Sequence, residues 1–375
     1  MKISRIETIP ISVPLNPDLA IKSGRGGLHA KSPFLLVKVR ADNGLVGLGE
    51  VSCTPRWSGE DQVSAAHFIN TYFAPALVGQ DPTDIKAATN LFWPTVSGNF
   101  FTKSGVEMAL WDLVGKAQNK SVYELLGGKV RDYVATKWSV SGLAPDKSKA
   151  IAKWAIDKGF KKMKVKVGLG PDDDVARVRA VREIVGPDMK LGVDANGGWP
   201  NAEIAIATIK RLREFNIYFA EQPVPAGDPE EMAQVKRGID IPVVADESIY
   251  TMADAQAHVR AKACDVFSIY VGKSGGIGPA MEIAKFAKNN GIACTIGSNL
   301  ELAVGSAAMV HLGMAAAGVT PDQYPCDIIG PFYYEDKLES AGSDIKPGQV
   351  RPSALPGLGV ELDDVKVEKY RVRQN

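Results

Sequence analysis

The stretch "KMKVKVG", Lys162 to Gly168, decides how the chain is read. Side chains alternate along a strand, so Lys162, Lys164 and Lys166 share one face while Met163, Val165 and Val167 take the other. A strand with one face in water carries such lysines without consequence. A strand covered on both faces holds them only where each meets a partner or a substrate. The rest of the sequence must say which strand this is.

From about residue 135 short apolar runs alternate with helical stretches. The runs are "MKVKV", "KLGVD", "IYFAE", "IPVVAD", "VFSIYV" and "IACTIG". One intervening stretch, Asp172 to Val185, starts with three aspartates, as a helix N-terminus favours, and stops before Gly186. Regular alternation of this kind predicts parallel strands with helices outside, and seven or eight units predict a closed (β/α)₈-type, TIM-like barrel. An open doubly wound sheet is the alternative, but no GxGxxG or GxxxxGK[ST] follows a first strand. The opening lysines therefore sit on the second strand of a barrel, with their face turned inward and Lys162 deepest.

Upstream, Ile3 to Val13 and Phe34 to Glu50 read as strands, the latter folded at Asp42-Asn43-Gly44. Residues 61 to 130 turn helical: Val106, Leu110, Leu113, Val114 and Ala117 recur at helical spacing, and "LLGG" supplies a glycine stop. Three segments result: an α+β unit over 1–130, the barrel over 131–330, and an irregular tail over 331–375 that packs back on the first unit.

The chain has 375 residues, 45% hydrophobic and 23% charged, with a formal net charge of +1. That balance gives no basic surface for nucleic acid and no polybasic membrane patch. Cys53, Cys264, Cys294 and Cys326 are scattered with no CxxC pair, which speaks against a zinc site or a disulfide framework. The first residues alternate as a strand rather than a signal peptide, and no apolar window approaches the roughly 18 residues of a membrane span. A cytoplasmic protein acting on a small molecule is expected.

Charge appears at one place in the rhythm. Lys166, Asp194, Glu221, Asp246, Lys273 and Ser298 each follow an apolar run, at successive gaps of 28, 27, 25, 27 and 25 residues. Each therefore closes the C-terminal end of a different strand, the face that carries the active site in such barrels. A single acidic residue after a strand is commonly a helix cap. Three on consecutive strands, about 5 Å apart, repel one another unless a hard cation holds them. All-oxygen ligation suits Mg²⁺, with Mn²⁺ as a substitute. Lys166 and Lys273 flank the acids and would approach such a cation from opposite sides, as acid/base groups at the carbon next to a substrate carboxylate.

These residues resemble the enolase superfamily, within it the muconate lactonizing enzyme subgroup, over essentially the whole chain. "ADNGLVGLGE" and "VEMALWDLVGKAQNKSVYELLGG" resemble its capping domain; "KVKVG", "DANGGW", "EQP", "ADES" and "KSGGI" resemble its barrel motifs, in order. The resemblance implies Asp194, Glu221 and Asp246 as Mg²⁺ ligands, Lys166 and Lys273 as the acid/base pair, and Lys164 as the group that polarises the substrate carboxylate. It places Asn196 and Glu247 behind the ligands. Ser298, Asn299 and Glu301 of "GSNLE", with Asp327 of "CDIIGP", fall where relatives line the pocket. Tyr270 fills a place where many relatives carry a lysine. None of His29, His67, His258 and His311 ends the seventh strand, which argues against an Asp–His dyad of the mandelate racemase type.

The implied step is removal of the proton alpha to a carboxylate, through an enediolate. The implied activity is an isomerase: a muconate-type cycloisomerase, or a racemase or epimerase of an amino-acid derivative. An o-succinylbenzoate synthase or acid-sugar dehydratase is the alternative, and a non-catalytic carboxylate-binding barrel the alternative from another class. "AIKSGRGGLHAKS" and "TPRWSGED" resemble capping loops. Arg25, with Lys22, His29 and Lys31, suits a second anionic group, and Trp57 suits a ring or cation. A homo-oligomer is the expected assembly.

Overall fold

A computed structural model describes residues 1–23 and 30–373. Strands β1 (Ile3–Pro14), β2 (Lys31–Ala41) and β3 (Val46–Ser52) form an antiparallel sheet in that order. The Asp42-Asn43-Gly44 turn lies between the last two, with Gly44 at φ +87°, a conformation that glycine adopts without strain. Helix α1 (Phe100–Gln118) lies against this sheet, and the approach depends on two small residues. A methyl group on Gly47 or Gly49 would overlap the backbone oxygens of Ala109 and Gly105. Because the helix also faces the barrel, even Thr102, Lys103, Glu107 and Asp112 are buried.

Seven parallel strands follow: β4 (Trp138–Val140), β5 (Lys162–Lys166), β6 (Lys190–Asp194), β7 (Ile217–Glu221), β8 (Val243–Ala245), β9 (Val266–Ile269) and β10 (Ala293–Ile296). Each pairs with its neighbour in chain order. Helices α2 (Pro145–Lys158), α3 (Pro171–Val185), α4 (Ala202–Leu212), α5 (Pro229–Gly238), α6 (Met252–Ala261), α7 (Ile277–Asn289) and α8 (Ala303–Ala315) connect them and continue past the last.

The ring closes through very few residues. Cys326 N donates to Ala135 O at 2.9 Å and its carbonyl accepts from Lys137 N at 3.0 Å, while Asp327 N donates to Ile296 O at 2.8 Å. The eighth strand is thus a short bridge between β10 and the residues before β4. Among the described residues no barrel helix follows it, because the chain turns at Gly330–Phe332 and runs back to β1, pairing Tyr334 with Leu15 and Arg371 with Ile11. The tail is less irregular than its sequence suggests. Asp344–Lys346 and Gln349–Arg351 form a hairpin about Pro347-Gly348, and Asp364–Lys369 is a helix.

β5 answers the opening stretch. Met163, Val165 and Val167 are fully buried on its outer face, and Lys164 is 3% exposed on the inner one. Lys162 departs from the expectation that it lies deepest. It opens the strand at the opposite rim, partly exposed, and its Nζ donates to Asp322 O at 2.6 Å.

Candidate active site

Pairing register brings the charged residues together. Lys166 pairs with Asp194 across β5 and β6, and Asp194 pairs with Glu221 across β6 and β7. Asp246 follows β8 and Lys273 follows β9, so the row spans five consecutive strands. With eight strand positions in the ring, β5 and β9 stand opposite each other.

The lysines hold the row. Lys164 Nζ lies 2.5 Å from Glu221 Oε1, 2.9 Å from Asp327 Oδ2 and 3.0 Å from Asp194 Oδ2. Lys166 Nζ donates to Asp194 Oδ2 at 2.6 Å and to Asn196 Oδ1 at 2.9 Å. Asn196, at φ +47°, passes the contact on through Nδ2 to Glu247 Oε1 at 2.9 Å. Lys273 is fully buried and donates to Asp246 Oδ1 and O, each at 2.5 Å, and to Ser268 O at 2.8 Å. Those three acceptors occupy all three ammonium hydrogens. Tyr270 Oη donates to Asp246 Oδ2 at 2.7 Å.

Burial sets the titration of the cluster, and the neighbours decide its direction. Burial would depress the Lys164 ammonium, but Asp194, Asp327 and Glu221 outweigh it and hold the group well above the usual lysine range. Burial would likewise raise Asp194, yet Lys164 and Lys166 hold it below the usual carboxylate range. Glu221 goes the other way, raised by burial and by the charge of Asp194. Glu247 is pushed up to about 7 by burial and then by Asp246.

The cluster is short of positive charge. Asp194, Glu221, Asp246, Glu247 and Asp327 are all buried, against the four lysines Lys137, Lys164, Lys166 and Lys273. Among the described residues, the buried Glu221 Oε2 and Glu247 Oε2 have no hydrogen-bond partner. Among the described residues no three acidic side chains meet at one point, because the ammonium groups lie between them. Unpartnered carboxylate oxygens and a charge deficit are what a hard divalent cation relieves, and Asp194, Glu221 and Asp246 carry carboxylate oxygens of the kind such a cation takes.

A cavity of about 680 Å³ opens above the row. Lys164, Lys166, Asn196, Tyr270 and Asp327 form its floor, while Lys273 does not line it. Trp57, from the turn Pro55–Ser58, stacks on Tyr270 with ring centroids 5.5 Å apart and an interplanar angle of 16°. Ser298 and Asn299 line the wall. Glu301 stands behind them: it accepts from Ser298 Oγ at 2.5 Å and Asn299 N at 3.0 Å, and Asn299 Nδ2 reaches Thr54 Oγ1 at 3.3 Å. Arg25 and His29 lie outside the described residues.

Two residues of the site were not singled out by their sequence. Lys137, 1% exposed, sits 3.2 Å from Asp327 Oδ1 and donates to Pro325 O at 2.5 Å. The alternation of Lys137, Ser139 and Ser141 with Trp138 and Val140 is a signal of the same kind as "KMKVK". Gln222, within "EQP", accepts from Asp246 N at 2.8 Å and donates to Ser248 Oγ at 2.7 Å, joining the ends of β7 and β8.

Comparison with known proteins gives the family. Residues 7–127 match the family model "Mandelate racemase / muconate lactonizing enzyme, N-terminal domain", and residues 147–366 match "Enolase C-terminal domain-like". The chain belongs to the enolase superfamily, in its muconate lactonizing enzyme subgroup. It is similar to the N-succinyl-L-Arg/Lys racemase of Bacillus cereus, at 31% identity over 100% of this chain and 99% of the relative. The crystal structure of that racemase superposes with a TM-score of 0.92, again over 100% and 99% of the two chains. A chloromuconate cycloisomerase of Pseudomonas sp. strain P51 is 32% identical over 99% of each. The dipeptide epimerase of Cytophaga hutchinsonii, complexed with Mg and D-Ala-L-Val, is 29% identical over 98% of each chain, with a TM-score of 0.92.

Proposed function

We propose that this enolase-superfamily isomerase removes the proton alpha to a substrate carboxylate at the C-terminal mouth of its barrel. The observation that carries the reading is the row Lys166–Asp194–Glu221 in pairing register, continued by Asp246 and Lys273. Asp194, Glu221 and Asp246 would hold a divalent cation, with Mg²⁺ as the first choice. That cation, when bound, supplies Lewis-acid charge to the substrate carboxylate. The named relatives are a racemase, a cycloisomerase and an epimerase, all consistent with this step.

Lys164 carries fixed positive charge to the carboxylate oxygens as the carbon acid loses its proton. Lys166 lines the cavity with two of its hydrogens bonded to Asp194 and Asn196, so as the neutral amine it keeps its lone pair for the proton of the substrate carbon and becomes the ammonium on taking it. Lys273 stands on the opposite side. Inversion at carbon needs its ammonium to turn from Ser268 O toward the cavity; cyclisation with proton return from the Lys166 side does not.

The mouth favours substrates with a second anionic group. Lys31 and Arg56 line it, both exposed. The acidic side chain among the described lining residues, Asp327, is already held by Lys164 and Lys137. A substrate ammonium group finds no free carboxylate here, whereas a distal carboxylate finds two cations.

With Mg²⁺ present, polarimetry and lactone absorbance on N-succinyl amino acids, muconates and dipeptides check this reading. Turnover is expected with an acid from the first two groups. Dipeptides turned over at the best rates, or no turnover in any group, would contradict it.

A further inference from the structure

Tyr270 meets four neighbours at once. Its hydroxyl donates to Asp246 Oδ2 at 2.7 Å, while Asp246 Oδ1 accepts from Lys273 at 2.5 Å. Both carboxylate oxygens are thus held by groups three residues apart at the end of β9. The ring stacks on Trp57, and Lys273 Nζ lies 4.3 Å from the ring centroid. On a further side the ring meets the backbone of Gly297 so closely that a methyl group there would overlap it. A ring confined on these sides keeps one orientation, and its hydroxyl therefore keeps one direction. Packing alone would need the ring and not the hydroxyl.

We propose that Tyr270 is a positioning residue that fixes the carboxylate of Asp246 and ties it, through its ring, to Trp57 in the N-terminal unit. This rests on the reading of Asp246 as a ligand of a divalent cation. While Trp57 is seated, the Tyr270 ring is held and Asp246 presents its oxygens in one direction. When Trp57 withdraws, the ring gains freedom and Asp246 loses its fixed donor. Closing the mouth and ordering the cation site are then one event, so substrate and cation bind with positive coupling.

The test uses Mn²⁺ as probe, its binding to the intact protein followed by electron paramagnetic resonance of the free ion and by calorimetry. Tyr270→Phe keeps the ring and is expected to weaken Mn²⁺ binding roughly tenfold to a hundredfold, with kcat falling more than KM rises. Gly297→Ala, which displaces the ring without touching the hydroxyl chemistry, is expected to weaken it in the same direction. Trp57→Leu is expected to weaken it severalfold in the wild-type background and to add nothing in the Tyr270→Phe background. Wild-type Mn²⁺ affinity in Tyr270→Phe would overturn the positioning role. Fully additive losses in the double variant would overturn the link to Trp57. Failure of the wild type itself to bind Mn²⁺ would instead overturn the reading of Asp246 as a ligand.

Discussion

Lys137 and Lys164 show what single residues contribute to the site. Both are buried, and together they hold Asp327, which lies below the usual carboxylate range because Lys137 and then Lys164 outweigh the effect of burial. Removing one partner from a buried ion pair leaves the other uncompensated, at a cost of about 3–5 kcal/mol. Lys137→Met is therefore expected to destabilise the protein by about 3 kcal/mol, with Lys164 retaining part of the balance, as read from the urea midpoint. An unchanged midpoint would show that Lys164 alone suffices. Lys164 and Lys166 were legible in the sequence because three lysines alternate within one run. Lys137 stands alone in its run, and its partner is 190 residues away in the chain. Gln222 is harder still. Its value lies in a backbone contact to the next strand, which no residue pattern announces.

At the scale of elements, two acidic residues from the first segment cap two barrel helices. Glu107 on α1 accepts from Ile277 N and Gly278 N, each at 2.8 Å, at the start of α7. Glu50 on β3 accepts from Leu302 N at 2.8 Å and Gly305 N at 3.0 Å, at the start of α8. These carboxylates satisfy backbone N–H groups that the helices leave open, and they join the sheet-and-helix unit to the barrel. Glu107→Ala is expected to cost about 2 kcal/mol, at the upper end for a lost cap because the vacated donors stay buried. Thermal unfolding checks it, and an unchanged midpoint would contradict it. The strands and helices themselves were readable from periodicity. Their caps were not, because Glu107 and Ile277 are separated by 170 residues. The eighth strand was placed at "CDIIGP" by the family resemblance and not by periodicity, because a bridge of a few residues, bounded by Pro325 and Gly330, has no run to read.

Across the whole molecule, His311 on α8 joins three parts of the chain. Its Nδ1 accepts from Tyr123 N at 3.2 Å, and its Nε2 donates to Leu358 O at 3.2 Å. Burial pushes its pKa down to about 4 from the ordinary 6.5. The folded protein thus keeps His311 neutral where the unfolded chain protonates it. Its contribution to stability is complete above about pH 6.5 and is lost as pH falls toward 4. His311→Gln is expected to flatten the fall in urea midpoint between those values relative to the wild type. Equal slopes in the two proteins would contradict the assignment.

The central claim is that Lys166 and a divalent cation held by Asp194, Glu221 and Asp246 together remove a proton alpha to a carboxylate. Its most direct test is solvent deuterium exchange at that carbon, followed by proton NMR in D₂O with the acid that turns over fastest. Exchange is predicted to require Mg²⁺, to stop on chelation, and to fall at least a thousandfold in Lys166→Ala, since general-base removal costs roughly that much. Exchange that persists at the wild-type rate in Lys166→Ala, or in the chelated protein, would contradict the account.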